Sequence, residues 1–209
     1  QLTILVTSTI SGEGKTFCAM NLASVYSLTG KKTILVGCDM RKPRIFNDFG
    51  ISNDVGLSTV LSGQVEWQKA INESKYDNLD ILVSGPTPPN PAELLFTKEF
   101  ETLITNLKKT YDVVILDTPP VGLVSETLDL IPFVDLTLFI FRQNYSQRNF
   151  VDALNGLKIN KGLKNIYAVF NGVDGSKVTY GYGYTYGYGY GYYDDDKKEN
   201  FSWFKKLFK

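Results

Sequence analysis

The stretch Ile4–Thr16, I-L-V-T-S-T-I-S-G-E-G-K-T, decides the fold. Ile4–Thr7 is an apolar, β-branched run that reads as a strand, Ser8–Gly14 as a loop, and the residues from Lys15 onward as a helix. Strand, glycine-rich loop and helix in that order are what a phosphate-binding loop requires. Gly12 and Gly14 let the backbone curl so that successive N–H groups face one anion, and the helix N-terminus adds partial positive charge. In such a loop Ser11, Gly12, Glu13, Gly14, Lys15, Thr16 and Phe17 surround the phosphates of ATP or ADP. Lys15 reaches the β- and γ-phosphates, and Thr16 offers its hydroxyl to Mg²⁺. The general pattern G-x-x-x-x-G-K-[ST] would start on glycine where this chain has Thr9, so the match is to G-K-[ST] in its strand and helix context.

Working outward, short β-branched runs alternate with helix-length amphipathic segments. That alternation predicts an α/β fold, a mostly parallel sheet flanked by helices on both faces, of the P-loop NTPase type. Strands are predicted at Thr3–Thr7, Thr33–Cys38, Leu79–Val83, Val113–Asp117, Leu136–Phe141 and Ile166–Asn171. Several are apolar throughout, as strands buried on both faces should be. Helices are predicted at Lys15–Leu28, Gly56–Leu61, Trp67–Asn72, Pro91–Lys109, Ser125–Phe133 and Gln147–Ile159, with Gly30 and Gly162 as C-terminal caps. Ser84–Pro91, S-G-P-T-P-P-N-P, is too proline-rich for helix or central strand.

Two further acids belong with the loop. Asp117 ends the apolar strand V-V-I-L and precedes T-P-P, Thr118–Pro120, so it is placed to hold a magnesium shell directly or through water. Asp39 follows the second strand in I-L-V-G-C-D-M-R-K-P, Ile34–Pro43, with Arg41 and Lys42 adding cationic charge at the same edge. The candidate metal set is Thr16, Asp39 and Asp117, and the candidate catalytic set is Lys15, Asp39, Asp117 and Arg41.

Composition narrows the function classes. In 209 residues Lys+Arg and Asp+Glu stand at 22 each, without the basic excess of a nucleic-acid binder. With no histidine, and with Cys18 and Cys38 far apart, the usual zinc sites and His-dependent catalysis are excluded. The two cysteines read as small buried hydrophobes in a reducing compartment. No apolar run approaches the roughly 20 residues that span a bilayer, so the chain is expected to be soluble as given. It opens on a strand without methionine, as an excised domain would. After residue 174 the composition shifts: Tyr180–Tyr193 reads Y-G-Y-G-Y-T-Y-G-Y-G-Y-G-Y-Y, eight of the thirteen tyrosines with no aliphatic residue. Glycine at nearly every second position carries the largest ordering cost, so a disordered tail is expected. Three domains follow: 1–174, the P-loop domain; 175–196, the tyrosine-rich tail; and 197–209, a short amphipathic helix carrying Phe201, Phe204 and Phe208.

Five segments in this order resemble the bacterial tyrosine kinases of the polysaccharide co-polymerase group. They are T-S-x-x-x-G-E-G-K-T at Thr7–Thr16, D-M-R-K-P at Asp39–Pro43, S-G-P-x-P-P-N-P-A-E-L-L at Ser84–Leu95, I-L-D-T-P-P at Ile115–Pro120, and the tail. The resemblance implies a Mg-ATP-dependent protein-tyrosine autokinase whose neighbouring copies, in a ring oligomer, phosphorylate each other's tails in trans. Its acceptors would be Tyr180, Tyr182, Tyr184, Tyr186, Tyr188, Tyr190, Tyr192 and Tyr193. It also implies a membrane-spanning adaptor, fused or separate, a protein-tyrosine phosphatase, a place on the cytoplasmic face of the inner membrane, and a role in exopolysaccharide or capsule assembly. Asn171, at the end of the last strand, falls where related domains contact adenine. Two departures stand out. Ser11 replaces the family's usual proline, and Gly37 replaces the first carboxylate of D-x-D-x-R, leaving Asp39 alone. Two other readings compete. A ParA/MinD-like ATPase would carry a signature lysine where this chain has Ile10, and a nucleotide-dependent scaffold would lack phosphoryl transfer.

Overall fold

The computed structural model describes residues 1–122, 125–160 and 162–174. The chain runs β1 (Leu2–Ser8), α1 (Lys15–Leu28), β2 (Thr33–Gly37), α2 (Ile45–Phe49), α3 (Leu57–Leu61), α4 (Trp67–Ala70), β3 (Asn72–Glu73) and β4 (Leu79–Leu82). It continues through α5 (Pro91–Leu94), α6 (Lys98–Thr110), β5 (Val113–Asp117), a 3₁₀ helix at Ser125–Phe133, β6 (Leu136–Arg142), α7 (Arg148–Asn160) and β7 (Ile166–Asn171). The strands form one seven-stranded sheet in the order β3-β4-β2-β5-β1-β6-β7, parallel except for β3 against β4. Residues Gln1–Val173 form one compact unit. The expected tyrosine tail, its eight acceptors and the terminal helix at 197–209 lie outside the described residues.

Alternation along the central strands fills both faces of the sheet. Ile4 and Val6 of β1, Leu35 of β2, and Val113 and Ile115 of β5 pack with Ala19 and Ala23 of α1. Leu5, Ile34, Val36, Val114 and Leu116 point the other way onto Phe100, Leu103, Ile104 and Leu107 of α6. The small side chains of α1 let that helix lie close to the strands, and its end is closed by a Schellman motif. Gly30, with φ of 79°, donates to Ser27 O at 2.9 Å, and Lys31 N donates to Tyr26 O at 3.3 Å.

Three predicted helices change, and the one expected over Trp67–Asn72 ends at Ala70, with Asn72 pairing with Ile81 in β3. The single helix expected over Pro91–Lys109 is two, because Thr97 turns extended and its hydroxyl accepts from Phe100 N at 3.3 Å, starting α6 afresh with Glu99 and Glu101 in its first turn. The segment Ser125–Phe133 is a 3₁₀ helix with Pro132 inside it. α2 and the two-residue β3 had no periodic signal to announce them.

Strand order matters for the site. β1 lies between β5 and β6, so the chain builds the sheet outward to one side of β1 first and to the other later. The loops at the carboxyl ends of β1, β2, β5, β6 and β7 therefore converge on the crevice where ligands bind in open α/β sheets.

Candidate active site

The loop after β1 is a preformed cradle. Gly12 and Gly14 hold φ of 89° and 94°, conformations costly for any residue with a Cβ, and Gly14 caps the start of α1. A cavity of about 250 Å³ opens above it, lined by Ser11, Gly12, Gly14, Lys15, Thr16, Phe17, Asp39, Lys42 and Arg44. Thus six of the seven expected loop residues, all but Glu13, meet Asp39 in one place.

Parallel register brings the acids in. Val6 of β1 and Gly37 of β2 both pair with Asp117, which puts the end of β5 beside the loop and beside Asp39. Thr16 donates its hydroxyl to Asp117 Oδ2 at 2.7 Å. The other carboxylate oxygen, Oδ1, is buried without a hydrogen-bond partner. A buried carboxylate oxygen left so is costly unless a cation meets it. Burial pushes the Asp117 carboxyl up to about 7; Thr16 and Lys15 pull it down and Asp39 adds to the rise. Lys15, only 8% exposed, supplies the one buried positive charge there. Asp39 is half-buried, and its Oδ1 accepts from Arg41 N at 3.2 Å and Lys42 N at 3.0 Å, an Asx turn that points the carboxylate over the loop.

Thr16, Asp117 and Asp39 make a donor set of two carboxylates and a hydroxyl. Magnesium usually takes one or two carboxylates and completes its shell with phosphate oxygens and water. Among the described residues no three His, Cys, Asp or Glu side chains converge, so this protein has no all-protein metal cage there. The residues fit a magnesium ion that arrives with a nucleotide.

Three expected residues sit differently from their assigned parts. Arg41 is exposed and does not line the cavity, whereas Arg44, which the sequence reading passed over, does. Glu13 is fully buried, its carboxylate accepting from Ile10 N at 2.8 Å and from Ser146 Oγ, so only its backbone N–H remains for a phosphate. Asn171 donates to Glu13 O at 3.0 Å while its own Oδ1 accepts from Gly172 N at 2.8 Å, so its side chain braces the loop. Arg142, Tyr145 and Ser146, also at the loop, carry no motif; their one sequence signal is position, just past a predicted strand's carboxyl end. Cys18 and Cys38 are free, Cys38 buried and Cys18 partly so, and burial raises both thiols above their ordinary value.

A family model described as an AAA domain matches residues 2–130. A Staphylococcus aureus protein, putative tyrosine-protein kinase CapB, is 33% identical over 168 residues, covering 80% of this chain and 74% of that protein. The chain belongs to the bacterial tyrosine kinase family. A Bacillus subtilis member, tyrosine-protein kinase YwqD, is 43% identical over 123 residues, 59% of this chain and 52% of its own length. The kinase domain of Escherichia coli tyrosine kinase ETK superposes with a TM-score of 0.78 at 31% identity, covering 88% of this chain and 72% of that one. A septum site-determining protein MinD from Pyrococcus horikoshii, at 21% identity and a TM-score of 0.65, shares the fold.

Within the family pattern, Gly37 is the departure that matters, and the structure explains what fills its place. A Cβ added at Gly37 would lie 2.8 Å from Ser84 Oγ and 3.2 Å from Ser84 N. Ser84, the first residue of the proline-rich string, donates to Asp39 O at 3.2 Å. Ser84 thus packs against Gly37 and steadies the backbone of Asp39, the carboxylate that remains.

Proposed function

We propose that this chain is the catalytic domain of a Mg-ATP-dependent protein-tyrosine autokinase and that its acceptors are the tail tyrosines of neighbouring copies, Tyr180 to Tyr193. The observation that carries the reading is the convergence of Lys15, Thr16 and Asp39 on one cavity over the loop, with Asp117 bonded to Thr16 just beneath it. The backbone N–H groups of Gly12–Thr16 and the Lys15 ammonium bind the nucleotide's phosphates. Thr16, Asp117 and Asp39 hold the magnesium, which when bound neutralises charge that develops on the transferred phosphoryl group. Asp39, the more open of the two acids, receives the proton of the entering phenol. That proton leaves late, since a phenol with a pKa near 10 need not ionise beforehand. Lys42 and Arg44 bring positive charge to the same cavity.

The wider setting follows from kinship with tyrosine kinases such as CapB and YwqD. It comprises a ring of copies, a membrane-spanning adaptor at the cytoplasmic face of the inner membrane, a tyrosine phosphatase that resets the tail, and control of exopolysaccharide export. Each phosphate would add roughly −1.5 to −2 charges to the tail, so repeated transfer would drive copies apart.

The test is to incubate the full chain with Mg-ATP and map modified residues by mass spectrometry. Phosphotyrosine within Tyr180–Tyr193 that is lost in Lys15→Ala is the expected result. ATP hydrolysis without tyrosine transfer would make the protein an ATPase, and nucleotide binding with neither would make it a scaffold.

A further inference from the structure

A loop whose N–H groups turn inward to an anion must turn its C=O groups outward, and those carbonyls need donors. Here they find them 130 to 158 residues away in sequence. Tyr145 Oη donates to Ser11 O at 2.9 Å, Arg142 Nη1 to Gly12 O at 2.9 Å, and Asn171 Nδ2 to Glu13 O at 3.0 Å. Ser146 adds a fourth tie: its hydroxyl donates to the buried Glu13 carboxylate and accepts from Arg142 N at 2.8 Å. Glu13 in turn holds Ile10 N, so the hydroxyl of Ser146 is linked through one side chain to both halves of the loop.

Packing agrees with the bonding. A Cβ at Gly12 would lie 2.6 Å from Tyr145 Oη, and one at Gly14 would lie 2.1 Å from Asn171 Nδ2. The two glycines thus leave room for the residues that grip them, in addition to adopting positive φ. The guanidinium of Arg142 sits over the Tyr145 ring, 5.5 Å from its centre, which fixes the two donors relative to each other. None of the four residues lines the cavity, so they act on a nucleotide only through the loop.

We propose that the corner Arg142–Ser146, together with Asn171, is a clamp that fixes the loop in its phosphate-receiving shape before nucleotide arrives, with Tyr145 and Ser146 as its principal positioning residues. The proposal rests on the reading of this cavity as a nucleotide site. Without the clamp the loop samples other shapes, and every diphosphate or triphosphate nucleotide binds more weakly by the fraction of time the cradle is lost.

Two measurements on the full chain separate the clamp from that reading. Hydrogen exchange of the peptide covering residues 9–17, without nucleotide, should quicken in Tyr145→Phe and in Ser146→Ala, and by more than in Thr97→Ala, a variant away from the loop that also lowers the melting temperature. Titration calorimetry with Mg-ADP should show about fivefold weaker binding for Tyr145→Phe, the cost of one net hydrogen bond. The loss should be about tenfold or more for Ser146→Ala, which leaves Glu13 short of a donor. Ser146→Thr restores the hydroxyl and should bring affinity back to within about twofold of the parent. The KM for ATP should rise by the same factors, with kcat changed less. Unchanged exchange in both variants, or Mg-ADP affinity within about twofold of the parent in both, overturns the clamp. Quickened exchange in the two variants, alongside a parent that binds no Mg-ADP, would leave the clamp standing and overturn the nucleotide site instead.

Discussion

The space beside Gly37 is taken by a residue distant in sequence. The family pattern D-x-D-x-R puts an acid there, but Ser84 Oγ occupies the space that its Cβ would need. Gly37→Asp alone should therefore destabilise by about 1–3 kcal/mol through overpacking. Adding Ser84→Ala should recover most of the lost melting temperature, and a double variant no more stable than the single would refute the pairing. Asp117 supports a prediction about pH. Its folded value, about 7, lies above its ordinary 3.8, so the folded state holds a proton between those limits and loses stability as pH rises through them. Metal-free protein should lose stability relative to Asp117→Asn as pH rises from about 4 to about 7, by a few kcal/mol, on the order of 1.4 for each pH unit crossed. Parallel melting curves across that range would refute it. The residues Lys15, Thr16, Asp39 and Asp117 were legible because each stands in a fixed place relative to a strand end. Arg44 and the misplacement of Arg41 were not, because side-chain direction in the Arg41–Arg44 turn depends on the Asx turn at Asp39.

At the scale of elements, the sequence periodicity locates the six longer strands to within a residue or so at most ends, because central parallel strands are apolar throughout and cannot be mistaken for surface. It overran at Pro91–Lys109, where an apolar pattern continues through Leu94–Phe96 while the backbone breaks at Thr97. The signal was present: a threonine followed by Glu99 and Glu101 marks a helix start. Thr97→Ala should cost about 1 kcal/mol by removing the bond to Phe100 N, and should lower the melting temperature without altering Mg-ADP affinity. An unchanged melting temperature would show that the break is set by packing of Phe100 instead. The loop before α3 depends on closeness of a different sort. A Cβ at Gly56 would lie 2.3 Å from Gly85 N, which ties this turn to the proline-rich string and leaves glycine alone able to fill it.

For the whole molecule, the order β3-β4-β2-β5-β1-β6-β7 gathers five strand ends at one crevice and presents the cavity at the domain surface. Under the proposed trans route, transfer to the tyrosine tail would depend on encounters between copies. Mixing Lys15→Ala chains, which accept but cannot transfer, with active chains whose tail tyrosines are all replaced by phenylalanine should yield phosphotyrosine on the former at a rate that rises with concentration. Transfer confined to single chains, with none in the mixture, would refute the trans route. Among the described residues no helix is long and apolar enough to cross a membrane, so membrane attachment by the proposed adaptor would be supplied from outside them.

The amino-acid sequence by itself determined the class of fold, the phosphate loop, the two acids beside it and the family, because these rest on local periodicity and on short motifs whose chemistry permits few alternatives. Tertiary structure alone decided that Ser84 packs against Gly37, that the Glu13 and Asn171 side chains bond to the loop, and that Arg142, Tyr145 and Ser146 hold it from outside. The Glu13–Ile10 bond apart, those contacts join segments that are 45 to 158 residues apart, and no local pattern encodes which outward carbonyl will meet which donor once the sheet has closed.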